Sequence, residues 1–515
     1  MARAAATAPI VAHRGAITAC VILAVIMQAL DTTIANVALP YIQGSVSASA
    51  DQVNWVLTSY IVAAAIMTPP SGFLAARFGR KRVLSVAIIG FVVASILCGA
   101  AQSLPQIVGF RLLQGIFGAS LVPLSQSILL DIYTLEERGS AMAMFGVSVM
   151  VGPVLGPVLG GWLTENLSWR WVFYINLPLG ILALAGVSIF VTETKAGTLN
   201  RFDWIGFGAL SIAIGALQLF LDRGAQLDWF DSPEILIEAA VCAAALYVLL
   251  VHTFTAENSF IKPRMFLDRN FNVGLIFIFI IGICYLASLA LLTPFLQTLL
   301  GYPVVTAGII MGPRGLGTMA CMFMVGRLIG KVDTRFLLGA GFLVSAWAMY
   351  DMASWTPDVS QGRIMLTGFV QGGGLGLLFV PLTTVTFVTL PAQYRGDGTG
   401  LYNLSRNIGS SVGISLVSYL LTRNLQVNHA EIAAYVTPFN RLLEMPAIRH
   451  AWDPTTLAGR AALDEVITRQ AMIIAYANDF KLLMILSLAA LPFLVLLRTP
   501  GRQAAPTGDH AVVME

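Results

Sequence analysis

The segment Leu30–Pro40 reads LDTTIANVALP and sets a carboxylate, Asp31, inside an apolar run from Ala16 to Leu39 that is long enough to cross a bilayer. A carboxylate at such a depth costs roughly 3 kcal/mol on an insertion scale. A chain that carries one puts it to use. Burial shifts a carboxyl group toward exchanging its proton near neutral pH, and alternate access from the two sides of a membrane then loads and unloads that proton. Three arginines, Arg111, Arg314 and Arg406, also lie within apolar runs. Arginine keeps its charge, so each needs an anion, a carbonyl cage or water. Asp31 is the only deeply placed carboxylate legible in the sequence, because Glu238 and Asp351 lie nearer helix ends. An Asp31–Arg111 pair that a proton weakens and its loss restores is therefore the expected switch. The alternatives are a structural carboxylate and an arginine that only knits helices together.

At about 100° per residue, Gln28, Asp31, Thr32, Ala35 and Asn36 share an arc of about 140° on the first helix. That polar stripe should face the bundle interior or a water-filled cavity. Gln28, Asn36, Tyr60, Arg314, Asn403 and Arg406 are the candidates for a substrate cavity. GVSVMVGPVLGPVLGGW, from Gly146, repeats Ser148, Gly152, Gly156 and Gly160 every four residues, with Pro153 and Pro157 between them. Small residues at this spacing let helices approach closely, and prolines free backbone groups and kink a helix. A hinge, or a seam between two halves, is expected there.

The composition demands the membrane that these residues imply. Of 515 residues 57% are hydrophobic and 11% charged, with mean hydropathy +0.79, against about 25% charge in soluble domains. The net charge of +3 is small and its basic residues are dispersed, which argues against nucleic acid. Fourteen spans are expected: 16–39, 53–76, 83–101, 104–130, 140–163 and 171–191, then 204–221 and 235–254, then 271–296, 304–326, 336–353, 364–388, 398–421 and 475–497. This divides the chain into a six-helix bundle (1–200), an added pair (201–269) and a second bundle (270–515) with an extramembrane segment at 422–475. A weak internal echo supports the division: GFLAARFGRKRVL follows the second span and GRLIGKVDTR the tenth. Arg77, Arg80, Lys81, Arg82, Arg138, Lys195, Arg201, Lys262, Arg264, Arg269, Arg327, Lys331, Arg335 and Arg395 all fall in alternate loops, which places those loops and both termini in the cytoplasm. The first apolar run is too long for a signal-peptide core and is read as a retained span.

Other chemistry is scarce. Cys20, Cys98, Cys242, Cys284 and Cys321 sit in apolar runs without paired spacing and read as packing residues. The five histidines have no metal-like partners, no GxxxxGK[ST] is present, and no HExxH or GxSxG cluster lies at a membrane face. An enzyme, a metal site and a cofactor are not expected. The energy source is expected to be a proton gradient.

These motifs resemble those of the major facilitator superfamily, in its fourteen-span drug:proton antiporter branch, the EmrB/QacA group. LDTTIANVALP resembles the first-span motif, GFLAARFGRKRVL the loop motif after the second span, RLLQGIFGAS the arginine motif of the fourth, GPVLGPVLGG the fifth-span antiport motif, and WRWVFYINLPLG the start of the sixth. QTLLGYPVVTAGIIMGPRG and LYNLSRNIGSSVG are most similar to the EmrB members. The resemblance covers nearly the whole chain. It implies an all-α integral membrane protein of the major facilitator fold, with two six-helix bundles and two additional helices, in a bacterial inner membrane. It further implies proton-coupled efflux of small hydrophobic drugs or toxins by alternating access. The implied partners are a periplasmic adaptor of EmrA type, docking on 422–475, and an outer-membrane channel of TolC type. Within the loop motif the resemblance carries over to Gly72, Gly79, Arg80 and Lys81. Ala76 stands where the family usually has a carboxylate that locks the cytoplasmic side. A specific metabolite or siderophore exporter is the nearest alternative, and a passive channel or membrane-embedded enzyme a more distant one.

Overall fold

In the computed structural model the described residues are 13–497 except 54, 135–136, 194–201, 225–226, 228, 257–258, 260, 330, 437–439, 441–444, 446–451 and 454. Lys195, Arg201, His450, His510 and all but the end of the amino-terminal stretch lie outside them, as does the Pro153 side chain. The first bundle contains α1 (Arg14–Val46), α2 (Trp55–Met67), α3 (Pro70–Phe78), α4 (Arg80–Ala100), α5 (Leu104–Gly118), α6 (Leu121–Ile132), α7 (Arg138–Asn166) and α8 (Asn176–Phe190). An added pair follows, α9 (Trp204–Gly224) and α10 (Pro233–Thr255). The second bundle contains α11 (Arg269–Pro294), α12 (Val304–Leu328), α13 (Thr334–Ala353), α14 (Gln361–Val388), α15 (Arg395–Ala434) and α16 (Leu457–Ala489).

Local chemistry sets the ends and breaks. Asp268, Asp333, Ser360 and Thr456 cap α11, α13, α14 and α16 by accepting from backbone N–H groups of the first turn. α2 and α3 are bent by 56° at Pro69 and Pro70, which lack N–H donors. Side chains take up the carbonyls around the break: the Thr68 hydroxyl donates to Ala64 O and the Ser71 hydroxyl to Thr68 O, both at 2.6 Å. α7 runs unbroken through Pro153 and Pro157.

Among the described residues twelve helices are long and apolar enough to cross a membrane, or thirteen when the bent α2–α3 pair is counted as one span. The expected count of fourteen is therefore not confirmed. The difference is α15: it is 40 residues long, but its glycines, serines, asparagines and Arg406 leave it short of the apolarity of the others. Much of the expected 422–475 segment is helical. α15 continues to Ala434 and α16 starts at Leu457, and His429 Nε2 meets Asp464 Oδ1 at 2.9 Å between the two extensions.

The apolar cores reveal how the bundles relate. One core is shared: it joins Val21, Leu121 and Phe145 of the first bundle to Phe271, Phe379 and Tyr402 of the second. The Phe145 and Phe379 rings stack across it at 6.5 Å. It lies at the end of the molecule that carries Arg80, Arg138, Arg327 and Arg395, called here the basic end. Toward the opposite end the core divides. One part holds first-bundle residues such as Leu30, Ile34, Trp169 and Phe173. The other holds second-bundle residues such as Leu291, Phe295, Trp355 and Phe480. The bundles thus share an apolar core at the basic end and have separate cores at the other, where α7 and α12 still touch. The added pair lies beside the α2/α15 seam, where Leu210 and Leu249 pack with Ala65 and Leu404. A polar chain also crosses this seam: the Thr58 hydroxyl and Gln218 Nε2 both donate to Asp222, and the Ser411 hydroxyl donates to Gln218 Oε1.

Candidate functional site

Asp31 and Arg111 meet. Arg111 Nη1 donates to Asp31 Oδ2 at 2.7 Å, and each side chain is 1% exposed. α1 supplies the carboxylate and α5 the guanidinium. Three further elements complete the shell. Gln114, one turn beyond Arg111, donates to Asp31 Oδ1 at 2.8 Å and accepts from Arg111 Nη1 at 2.8 Å. Asn176, at the start of α8, donates to Asp31 Oδ1 at 2.7 Å and to Ser95 Oγ at 2.9 Å. Arg111 Nε donates to Val56 O at 3.1 Å. The guanidinium also lies 4.4 Å from the Tyr60 ring centre and 5.6 Å from that of Phe173. Asp31 thus accepts from three separate donors, within a shell drawn from five helices. Buried pairs are worth keeping intact, because removing one partner leaves a charge uncompensated at a cost of about 3–5 kcal/mol.

The rest of the stripe divides. Gln28 donates to Tyr60 Oη at 3.1 Å, which ties α1 to α2. Tyr60 is 2% exposed and sits behind the pair. Thr32 is half-buried and Asn36 exposed, one and two turns toward the end where the cores are separate.

In the second bundle Asn403 is buried and donates to Gln126 Oε1 of the first bundle at 2.8 Å, so it ties the bundles together. Arg406 is half-buried, and its side chain has no hydrogen-bond or ion-pair partner among the described residues. Arg314 is 3% exposed; its Nη2 donates to Tyr285 O at 3.1 Å and Ser288 Oγ at 2.8 Å. Asp31 is not the sole deep carboxylate. Asp479 on α16 is 1% exposed, with both oxygens unpartnered. The expected bounds of the last span, 475–497, put Asp479 about one turn from its end, whereas α16 starts at Leu457 and sets it deep within the helix.

The small-residue face of α7 does not form the seam between the bundles. A side chain at Gly152 would strike the Ala29 backbone, one at Gly156 the Thr33 side chain, and one at Gly160 would meet Ile34 and Val37 at 3.3 Å. All of these belong to α1, in the same bundle. Thr33 Oγ1 donates across this contact to Gly152 O at 3.0 Å. The inter-bundle seam of α7 uses another face: Gly139 lies against Gly326, Gly146 against Met322 and Pro157 against Gly308 of α12. α7 therefore lines the seam as expected, Pro157 included, but through a face other than the one whose small residues repeat every four.

At the basic end Gly79 has φ 92°, a backbone conformation suited to glycine, and a side chain there would run into Glu193. The Glu193 carboxylate accepts from the backbone N–H of Lys81 and Arg82, both at 3.2 Å, and Lys81 Nζ donates to Ser188 O at 2.7 Å. Arg80 pairs with Asp131 on α6, which also accepts from Arg395 of α15 at 3.4 Å. Gly72 faces Gly396 and Asp397 at the start of α15. Carboxylates therefore stand at this closure despite Ala76, supplied by α6 and α15. GSSVG at 409–413 lies within α15 and forms no nucleophile turn. Among the described residues no His/Cys/Asp/Glu group could hold a metal ion.

Two bundles joined at one end, each with buried charged groups, are the architecture of a membrane transporter. A family model described as Major Facilitator Superfamily matches residues 21–414, and the chain belongs to that family. It is 36% identical over 483 residues to the fatty acid resistance protein FarB of Neisseria gonorrhoeae, covering 93% of this chain and 95% of that one. It is 37% identical over 480 residues to the multidrug export protein EmrB of Haemophilus influenzae, covering 92% of each. Its fold is similar to that of the proton:xylose symporter XylE (TM-score 0.61, 13% identity, 93% of this chain and 95% of that one). It is also similar to that of the human organic anion transporter MFSD10 (TM-score 0.59, 16% identity, 92% and 99%).

Proposed function

We propose that this protein is a proton-coupled multidrug exporter that works by alternating access in a bacterial inner membrane. The observation that carries the reading is the Asp31–Arg111 pair at 2.7 Å, sealed within the first bundle. Proton binding to Asp31 removes the charge that holds Arg111. The guanidinium then depends on Gln114, Val56 O and the Tyr60 ring, and the α1–α5 contact loosens. Proton release restores the pair. In this reading the shared core at the basic end closes the path to the cytoplasm in one state of the cycle, and the separate cores at the other end allow the bundles to part there. The names of the relatives, multidrug export and fatty acid resistance, support small hydrophobic substrates.

The basic loops face the cytoplasm in this reading, so both termini are cytoplasmic and the α15–α16 extensions project into the periplasm. There they offer the docking surface for an EmrA-type adaptor leading to a TolC-type channel. A cysteine at Tyr435, 81% exposed at the tip of α15, should react with an impermeant thiol reagent applied outside intact cells.

The test of coupling is efflux from proteoliposomes with an imposed pH gradient, across charged and neutral dyes. Wild type should accumulate dye against its gradient, whereas Asp31→Asn, equally well inserted, should lose gradient-driven transport. Full driven efflux by Asp31→Asn would remove Asp31 from the coupling step. Downhill flux without accumulation would indicate a passive channel.

A further inference from the structure

Each bundle buries one arginine beneath a tyrosine ring, yet the two are compensated differently. Arg111 lies 4.4 Å from the Tyr60 ring and has Asp31; Arg314 lies 4.5 Å from the Tyr285 ring and has no carboxylate. Arg314 Nη2 is satisfied by Tyr285 O and Ser288 Oγ, but Nε and Nη1 are buried without a partner. Gln371 on α14 donates to the same Ser288 hydroxyl at 3.2 Å, and its Oε1 is also unpartnered. Glycines bring α14 onto this arginine: a side chain at Gly372 would strike Arg314 O, and one at Gly368 would lie 3.7 Å from Arg314 Cβ. A cavity of about 30 Å³, room for a group the size of a water molecule, lies against Tyr285 and Gln371 and is not lined by Arg314 itself.

Among the described residues no carboxylate pairs with Arg314. The buried acid of the same bundle, Asp479, is on α16 and shares no ion pair with it, and Asp351 is engaged by Arg363, Trp355 and Thr367. A guanidinium does not discharge by losing its proton, and a buried unpaired charge is far costlier than a paired one. An anion from outside the chain resolves both facts.

We propose that Arg314 is an anion-binding subsite of the second bundle through its Nε and Nη1, while Ser288, whose hydroxyl donates to Tyr285 O, and Gln371 hold the Nη2 side of the guanidinium. It takes a single small acidic group, in the role that Asp31 plays for Arg111. The group is a carboxylate-sized monoanion, either the head of an exported amphiphile or a free inorganic anion such as chloride. The first source rests on the export reading above. The subsite itself does not.

The experiment compares wild type, Arg314→Gln and Arg314→Lys, using a dansyl-labelled medium-chain fatty acid and its uncharged amide as probes. Equilibrium binding to purified protein is measured by dansyl fluorescence, in chloride and in gluconate, alongside driven transport in proteoliposomes. Arg314→Gln should weaken binding of the acid, and raise its transport KM, by at least about tenfold, the scale of one lost charged hydrogen-bonded contact. The amide should be unaffected, and Arg314→Lys should restore part of the acid binding. A chloride-dependent thermal shift that disappears in Arg314→Gln, with acid binding unchanged, assigns the inorganic source. Equal loss of acid and amide in folded Arg314→Gln, or no change in either probe or in the chloride effect, overturns the subsite. If wild type transports neither probe while the binding difference persists, the export reading fails and the subsite stands.

Discussion

Asp131 accepts from Arg80 of its own bundle and from Arg395 of the other, the second at 3.4 Å, so one carboxylate spans the closure. The three side chains are 17–29% exposed, and water screens them in part. Asp131→Asn should therefore shift the closed-to-open balance at the basic end by only about 2–5-fold. Single-molecule distance measurements between labels on Phe78 and Arg327 should show that increase in the open population. An unchanged distribution would mean that the shared apolar core alone holds the closure.

Asn176 supplies one of the three donors to Asp31. Asn176→Leu removes it and strands Ser95 Oγ, which keeps only its 2.8 Å bond to Phe173 O. Hydrogen bonds to charged groups contribute about 1.5–3 kcal/mol, so thermal stability in detergent should fall by several degrees. Asn176→Ser, which keeps a short donor, should fall less. Equal behaviour of the two variants would show that the loss is one of packing.

Asp397 lies ahead of the apolar stretch of α15, facing Gly72, and burial pushes its carboxyl up to about 6, with Lys262 opposing the shift. A raised carboxyl makes the closed form bind more protons than a solvated one between about pH 4 and 6, so closure weakens as pH rises through that window and levels off above it. At pH 5 the basic end should be closed about tenfold more firmly than at pH 7, with Asp397 solvated when it opens. The same labelled pair reads this, and Asp397→Asn should flatten the dependence. A slope of opposite sign would place the controlling group elsewhere.

Asp479 is 1% exposed, and neither of its oxygens has a partner among the described residues. Replacing an unsatisfied buried polar group with an apolar one of similar size removes its desolvation cost, about 1–3 kcal/mol. Asp479→Leu should raise the thermal midpoint in detergent. A lowered midpoint would show that the carboxyl has a partner it keeps.

The sequence makes the spans and the central pair legible because both depend on local signals: apolar length in one case, and charge inside it in the other. Asp31 and Arg111 stand out since each is an exception in its own helix. Gln114 lay one turn from Arg111 in the same motif and could have been named. Asn176 and Ser95 could not, because polar neutral residues are common in such helices and only the packing of α4 and α8 brings them to α1. The face of α7 at the seam was not legible for a related reason: small-residue spacing shows that a neighbour comes close but not which one. The span expected at 398–421 falls within α15, which is less apolar than the others because a helix flanked on several sides can spend its surface on glycine and serine.

The division of the apolar core has an evolutionary consequence. Substitutions in the shared region touch both bundles at once, so any change there alters fold stability and conformational balance together and is rarely neutral. In the two separate regions, around Leu30 and Phe173 or around Leu291 and Phe480, a change is confined to one bundle. Variation should therefore accumulate at the divided end, where new substrates can be accommodated without resetting the cycle.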